Sequence, residues 1–243
     1  MLLHGGSGSW THWLRNVESL TGAGYQVIVP DIPGFGDSDV AATGGEDALG
    51  VIAPLWSGYA TLFGAQPCQM MGFSFGAMVA VLMAQSNPDL AKHLLLVAPP
   101  GLGLRSPPFP IQSWKRLQNW DEIIAVARHN LSLQMLYRPE SLDDETLRIH
   151  VNNIDRDRMR KRKISQTNIV IDALPHLRCP VDAIFGSHDS FYLSGLSRLE
   201  GLLMTAPYFR ELAFVQDCGH WVSYEDANIF NPVARRMLSS AAS

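Results

Sequence analysis

Cysteine is scarce in this chain of 243 residues: only Cys68, Cys179 and Cys218 occur, an odd number and far apart. They make neither a CxxC pair nor a disulfide framework, a usage that fits a reducing, cytoplasmic setting. Charge is scarce too. Charged residues are 17 % of the chain and the net charge is −4, so there is no sequence-independent attraction to nucleic acid. No apolar run approaches the roughly 20 residues needed to cross a bilayer. No basic stretch with an apolar segment behind it precedes the first loop, so no signal peptide is expected. These absences leave a soluble cytoplasmic protein whose partner is a small molecule, not nucleic acid or a membrane. Hydrophobic residues, at 47 %, suffice for one large α/β domain or two small ones.

The opening "MLLHGGSGSW" reads as the last step of a buried strand entering a backbone-rich loop. Trp10, Trp13, Leu14, Val17 and Leu20 then recur at helical spacing, and Gly22 and Gly24 supply the stop. Gln26 to Pro30 reads as a buried strand ending in a Pro/Gly turn, and Glu46 to Phe63 as a second helix, with Gly50 and Pro54 weakening its first turns. "CQMMGFSFGAMVAVLMAQSNP" runs from an apolar strand through a Gly-bracketed turn into an apolar helix, and "HLLLVAPP" is another strand. Strands alternating with helices, each strand an unbroken apolar run, predict a parallel sheet covered on both faces. The rhythm breaks at Pro99. To about Ile171 there is no convincing strand; "VDAIFG" and "ELAFVQD" then restore the signal, and a helical stretch runs to Ser240. The expectation is one domain, core 1–100 and 172–243, interrupted by a helical lid insertion of about 101–171.

Gly72-Phe73-Ser74-Phe75-Gly76 matches G-x-S-x-G between an apolar strand and a helix, the context in which a nucleophilic serine projects from a sharp turn. Glycines flank it because neighbouring chain passes too close for side chains. The helix that follows aims amide groups at developing negative charge. The alternative is an ordinary strand-to-helix turn with a serine N-cap. A serine needs a base, and the base needs an orienting acid. Asp189 and His220 both follow the C-terminal ends of strands, as Ser74 does, and in a parallel sheet those ends share one edge. His220 is therefore the expected base and Asp189 the acid that fixes its tautomer. Of the rivals, Asp182 begins its strand at the wrong end and Asp217 is too close to His220 in sequence. His188 faces away from the acid and His176 sits beside a proline.

An attacked carbonyl becomes an oxyanion that needs two donors about 3 Å away. The Phe75 amide is the first expected donor. The opening loop supplies the second, from Gly6 with Ser7 next, glycine allowing close approach and His4 bracing the loop. A phosphate-binding loop is excluded because no Lys-Ser/Thr follows at the required spacing.

With loop, elbow, acid and histidine in this order, the chain resembles the α/β-hydrolase fold family over essentially its whole length. "HGGSGSWTHWLRNVESLTGAGYQVIVPDIPGFGDSD" resembles the branch containing the meta-cleavage-product hydrolases, and Arg15-Asn16 and Trp221 fit it. The resemblance implies a serine triad, no cofactor and no metal, acting on a carbon–carbon bond beside a ketone. Two residues depart from the branch: Phe73 stands where Asn is usual, and Gly6-Ser7-Gly8 replaces Gly-Pro-Gly. The family also has two strands before this loop, so the sheet is expected to lack its first two strands. About six main strands would remain, with Gln26–Pro30 beside Met1–Leu3 at an open edge that favours a homodimer.

In the insertion, Trp114, Leu117, Trp120, Leu131, Met135, Leu136 and Tyr137 either line an apolar pocket or simply pack. Arg156 to Lys163 reads as a solvated helix face, or turns Arg158 or Arg162 inward to a substrate carboxylate. Phe73 and Trp221 are further candidate substrate contacts. The function expected is a cofactor-independent serine hydrolase cleaving a small carbonyl substrate, at a C–C bond or a carboxylic ester. Acyltransferase and perhydrolase are alternatives on the same triad, and a non-catalytic ligand receptor is the alternative of a different class.

Overall fold

A computed structural model describes residues 1–41, 48–104, 108–159 and 163–240. Its sheet has five strands, all parallel, in the order β1 (Leu2–Leu3), β2 (Cys68–Phe73), β3 (Ala91–Val97), β4 (Val181–Gly186) and β5 (Phe209–Val215). The middle strands are apolar on both faces because both faces are covered. The helices are α1 (Val17–Gly22), α2 (Ile52–Phe63), α3 (Phe75–Ser86), α4 (Trp120–Gln134), α5 (Asp144–Asp155), α6 (Ile169–Ala173), α7 (Leu199–Leu203), α8 (Val222–Glu225) and α9 (Ala227–Ser239). Helix α3 packs on β1, β2 and β3 with α2 and α6 against it, while α9 packs on β3 and β5 with α1 against it. Residues Phe75 to Ala84 of α3 are all buried, so its apolar character on every side is a requirement of its position.

Three local expectations are corrected. Gln26–Pro30 does run beside β1, with Leu2 N–H donating to Ile28 O at 2.8 Å, but it forms no ladder. A two-residue strand offers too few groups to pair along its length, so the described sheet has five strands and not six. The helix expected from Trp10 to Ala23 is split into a 3-10 turn, Trp10–Trp13, and α1. Asn16 sits at the break, where its side chain donates to Ser223 O and Asn231 Oδ1, both at 2.8 Å. Pro54 is tolerated because it falls in the first turn of α2, where its missing N–H has no helical acceptor.

Between β3 and β4 the described residues hold helices α4, α5 and α6 and no strand. Helix α5 ends at Asp155, so Arg156 and Arg158 are not on a helical face. Arg156 pairs with Asp37 at 2.9 Å. Arg162 lies outside the described residues.

At the N-terminal ends of β3 and β4 a buried polar cluster ties the sheet to α9. Asp182 Oδ2 meets His93 Nε2 at 2.8 Å, the Arg210 guanidinium binds the same carboxylate, and it also donates to Met237 O at 2.7 Å. Burial opposes the charge on Asp182, but the hydrogen bonds from His93 and Arg210 outweigh it and hold the carboxyl below its usual range. A carboxylate with a lowered folded pKa stabilises above its unfolded pKa, and that contribution fades as pH falls through the folded value. Asp182→Asn should therefore cost about 3–5 kcal/mol in urea unfolding at pH 7. The difference from the parent should shrink below a pH of about 4. A cost under about 1 kcal/mol would mean that the cluster is replaceable.

Candidate active site

The turn from β2 into α3 places Ser74 at φ 49°, ψ −118°, a left-handed conformation that a non-glycine residue holds only under constraint. The constraint is visible on both sides. A Cβ on Gly76 would lie 2.2 Å from Leu3 O and 2.4 Å from His4 O, and one on Gly72 would lie 2.4 Å from Gly76 O. Ser74 N–H donates to Val97 O at 2.8 Å, pinning the turn to β3. Ser74 itself stays partly accessible, and the Phe75 amide opens the first turn of α3, where helical amides have no helical acceptor.

Asp189 lies in the turn after β4 and His220 in the loop between β5 and α8. The structure brings all three side chains together: His220 Nδ1 is 2.8 Å from Asp189 Oδ2, and His220 Nε2 is 2.9 Å from Ser74 Oγ. Asp189 is fully buried, and its second oxygen accepts the Phe191 N–H at 3.0 Å. A carboxylate only accepts, so it selects the tautomer with hydrogen on Nδ1 and leaves Nε2 to accept the serine proton. The rival residues are elsewhere. Asp182 is in the cluster at the other end of the sheet, and the His188 ring stacks on Tyr137 at 3.8 Å between centroids.

The opening loop is held by neutral imidazoles. His4 donates through Nδ1 to Gly5 O at 2.8 Å and accepts the Ile32 N–H on Nε2 at 2.9 Å. Burial pushes its pKa down to about 4. Gly5 N–H is itself taken by His12 Nδ1 at 3.2 Å, and Ser7, two residues on, stands at φ 52°. Ser7 Oγ donates to Asp157 at 2.6 Å, and Ser9 Oγ donates to Asn153 at 2.8 Å, so the insertion is fastened to this loop. His12, Asn153 and Asp157 were not legible in the sequence as site residues. Their partners are far along the chain, and no motif marks them.

Two expected substrate contacts have other roles. Phe73 and Trp221 are fully buried; Phe73 packs under His220 at 5.1 Å, while Trp221 stacks on Tyr224 at 4.0 Å and donates to His12 O. They form the floor under the histidine and are closed to solvent. Arg158 spends its guanidinium on Gly36 O at 3.0 Å and Ser38 O at 2.5 Å, because the chain after α5 lies along the loop that follows Gln26–Pro30. Among the described residues no three His, Cys, Asp or Glu side chains are placed to hold a metal ion, and no helix is long and apolar enough to cross a membrane.

Residues 1–232 match the model of the alpha/beta hydrolase family, and the chain belongs to that family. It is 28 % identical to a 2-hydroxy-6-oxononadienedioate/2-hydroxy-6-oxononatrienedioate hydrolase of a Pseudomonas species, covering 98 % of this chain and 87 % of that one. It is 27 % identical to a 2-hydroxy-6-oxo-6-phenylhexa-2,4-dienoate hydrolase of Burkholderia cepacia, covering 99 % and 87 %. Among solved structures it resembles the meta-cleavage product hydrolase of Pseudomonas fluorescens IP01 with a TM-score of 0.74 at 19 % identity, covering 99 % of this chain and 90 % of that one. It also resembles a thermophilic esterase of Thermogutta terrifontis, with a TM-score of 0.72 at 20 % identity and coverage of 100 % and 89 %. The protein is a hydrolase of the alpha/beta hydrolase fold.

The buried imidazoles give the fold a pH dependence whose sign follows from their lowered pKa. Unfolded, His4 takes a proton near its ordinary value of 6.5; folded, it does so only near about 4. Between those values the unfolded chain binds more protons, so stability falls with falling pH. From pH 7 to pH 5, His4 alone should remove about 2 kcal/mol. Burial lowers His150 in the same way, to about 4, and adds in the same direction. Urea unfolding at the two pH values checks this; equal free energies would show that these rings are charged or solvated in the folded state.

Proposed function

We propose that this hydrolase is cofactor-independent and works through Ser74, His220 and Asp189 on a small carbonyl substrate. The observation that carries the reading is the continuous chain from Asp189 Oδ2 through His220 to Ser74 Oγ, with bonds of 2.8 and 2.9 Å. Ser74 Oγ attacks the carbonyl carbon as His220 Nε2 takes its proton, and the buried Asp189 stabilises the imidazolium. The carbonyl oxygen gathers negative charge and accepts from the Phe75 amide and from Gly6, with Ser7 the next donor in line. The imidazolium then returns the proton to the departing atom, and water attacks the acyl-enzyme by the same route. The insertion at about 101–171 serves as the lid over this site, held down by Asp157 and Asn153. The three cysteines, all unpaired, suit a reducing cytosol.

The bond we favour is a C–C bond beside a ketone, since hydrolases whose names specify 2-hydroxy-6-oxo dienoates match nearly the whole chain. A carboxylic ester is the second reading. Phe73 favours it, because an apolar ring stands where that branch has Asn.

A fluorophosphonate probe should label Ser74, and Ser74→Ala should lose both labelling and turnover while keeping its circular dichroism. Labelling that maps to another serine would refute this nucleophile. Asp189→Asn should retain the fold yet lose roughly 10⁴-fold in kcat, since the amide favours the wrong histidine tautomer. A screen pairing short- and medium-chain p-nitrophenyl esters with a vinylogous diketone acid separates the two bond classes. Turnover of esters alone would retire the C–C reading.

A further inference from the structure

Glu225 is a carboxylate almost closed to solvent, and it takes no part in the proton chain described above. Its Oε1 accepts the N–H groups of Tyr137 and Arg138, both at 2.7 Å, and its Oε2 accepts the N–H of Gly219 at 2.5 Å. Tyr137 and Arg138 belong to the chain between α4 and α5, in the middle of the insertion. Gly219 is the residue before His220. One carboxylate therefore holds two segments that are far apart in sequence: the α4–α5 connection of the insertion and the turn that carries the histidine.

The two segments touch without slack. A Cβ on Gly219 would lie 2.8 Å from Met135 O and 2.9 Å from Tyr137 N. On the other side of the histidine, Trp221 N–H donates to Met135 O at 2.8 Å. His220 is thus bracketed by two residues whose backbone amides are both tied to the α4–α5 connection, one through Glu225 and one directly. Arg138 reinforces the joint by donating from Nε to Asp217 O at 2.8 Å and pairing with Asp226 at 2.9 Å. A general base must keep its reach to within a fraction of an ångström, and a shift of about 1 Å can cost a hundredfold in rate.

We propose that Glu225 is a positioning residue for His220, locking the α4–α5 connection of the lid to the histidine turn so that lid seating and alignment of the base are one equilibrium. The proposal rests on the serine-hydrolase reading above and deepens it. Glu225 touches no reacting atom. It acts through the Gly219–His220 peptide, and its removal releases both segments at once.

Glu225→Gln keeps the size of the side chain but turns an NH2 donor toward one of the three N–H groups, so one arm of the clamp is lost. A second pair of variants loosens only the lid arm. Arg138→Pro deletes one of the two lid N–H donors at a residue whose φ of −83° lies close to what proline adopts, and Arg138→Ala controls for the lost guanidinium. The measurements are kcat and KM on p-nitrophenyl acetate and the rate of fluorophosphonate labelling at Ser74, on samples whose circular dichroism shows a folded protein.

Glu225→Gln should lower kcat and the labelling rate by about tenfold to a hundredfold. KM should stay within about threefold, since the group makes no contact with substrate. Arg138→Pro should label more slowly than Arg138→Ala. A folded Glu225→Gln protein with a lower Tm and an unchanged labelling rate overturns the proposal. So does equal labelling of the two Arg138 variants, which decide the matter if Glu225→Gln does not fold. A parent protein that resists the probe would sink the serine-nucleophile reading and this proposal with it, whereas the other two outcomes sink this proposal alone.

Discussion

The contact on which the site depends is the approach of helix α3 to the end of β1, with the Gly76 position lying against the carbonyls of Leu3 and His4. No side chain fits there, so the first turn of the helix can come in against the end of β1. Between Gly72 and Gly76 the Ser74 backbone takes its left-handed conformation, with the hydroxyl 2.9 Å from His220 Nε2. Strain at Ser74 and an open helix terminus beside it are two results of one packing requirement. That requirement is met by the buried length of α3, ten consecutive residues from Phe75 to Ala84.

Around this contact the polar groups are used to fix loops, not strands. As neutral rings, His4 satisfies the Ile32 amide and His12 the Gly5 amide, Asp189 satisfies the Phe191 amide besides bonding His220, and Glu225 satisfies three amides at once. Ser74, Asp189 and His220 all sit in turns or loops because they follow the C-terminal ends of strands. Loops also lack ladders, so their backbone groups must find side-chain partners or remain unpaired. The insertion joins the same network through Ser7–Asp157, Ser9–Asn153 and Glu225, which fasten it to the opening loop and to the histidine turn.

Much of this was legible in the residues alone. G-x-S-x-G between a strand and a helix, and Asp189 and His220 each just past a strand, are local patterns whose convergence follows from the rule that parallel strands end on one edge. The apolar strands and the helical insertion were legible for the same reason, since burial on both faces leaves an unbroken apolar run. Gln26–Pro30 misled because its apolar run is as strong as that of a true strand, while its pairing depends on a neighbour only two residues long. Arg158 misled because a basic run at helical spacing carries no mark of where the helix stops, and α5 ends at Asp155.

The sequence by itself determined the α/β architecture, the nucleophile turn and the order of serine, acid and histidine, because each is encoded over a few consecutive residues. Only the tertiary structure decided what Phe73, Trp221, Arg158, His12 and Glu225 do. Phe73 and Trp221 became the floor, Arg158 a strap on the loop from Gly36 to Ser38, His12 a brace, and Glu225 the joint between lid and histidine. Those roles are set by partners up to 209 residues away in sequence. A side chain's chemistry says what it can bond, but which group comes within 3 Å of it is fixed only when the whole chain is packed.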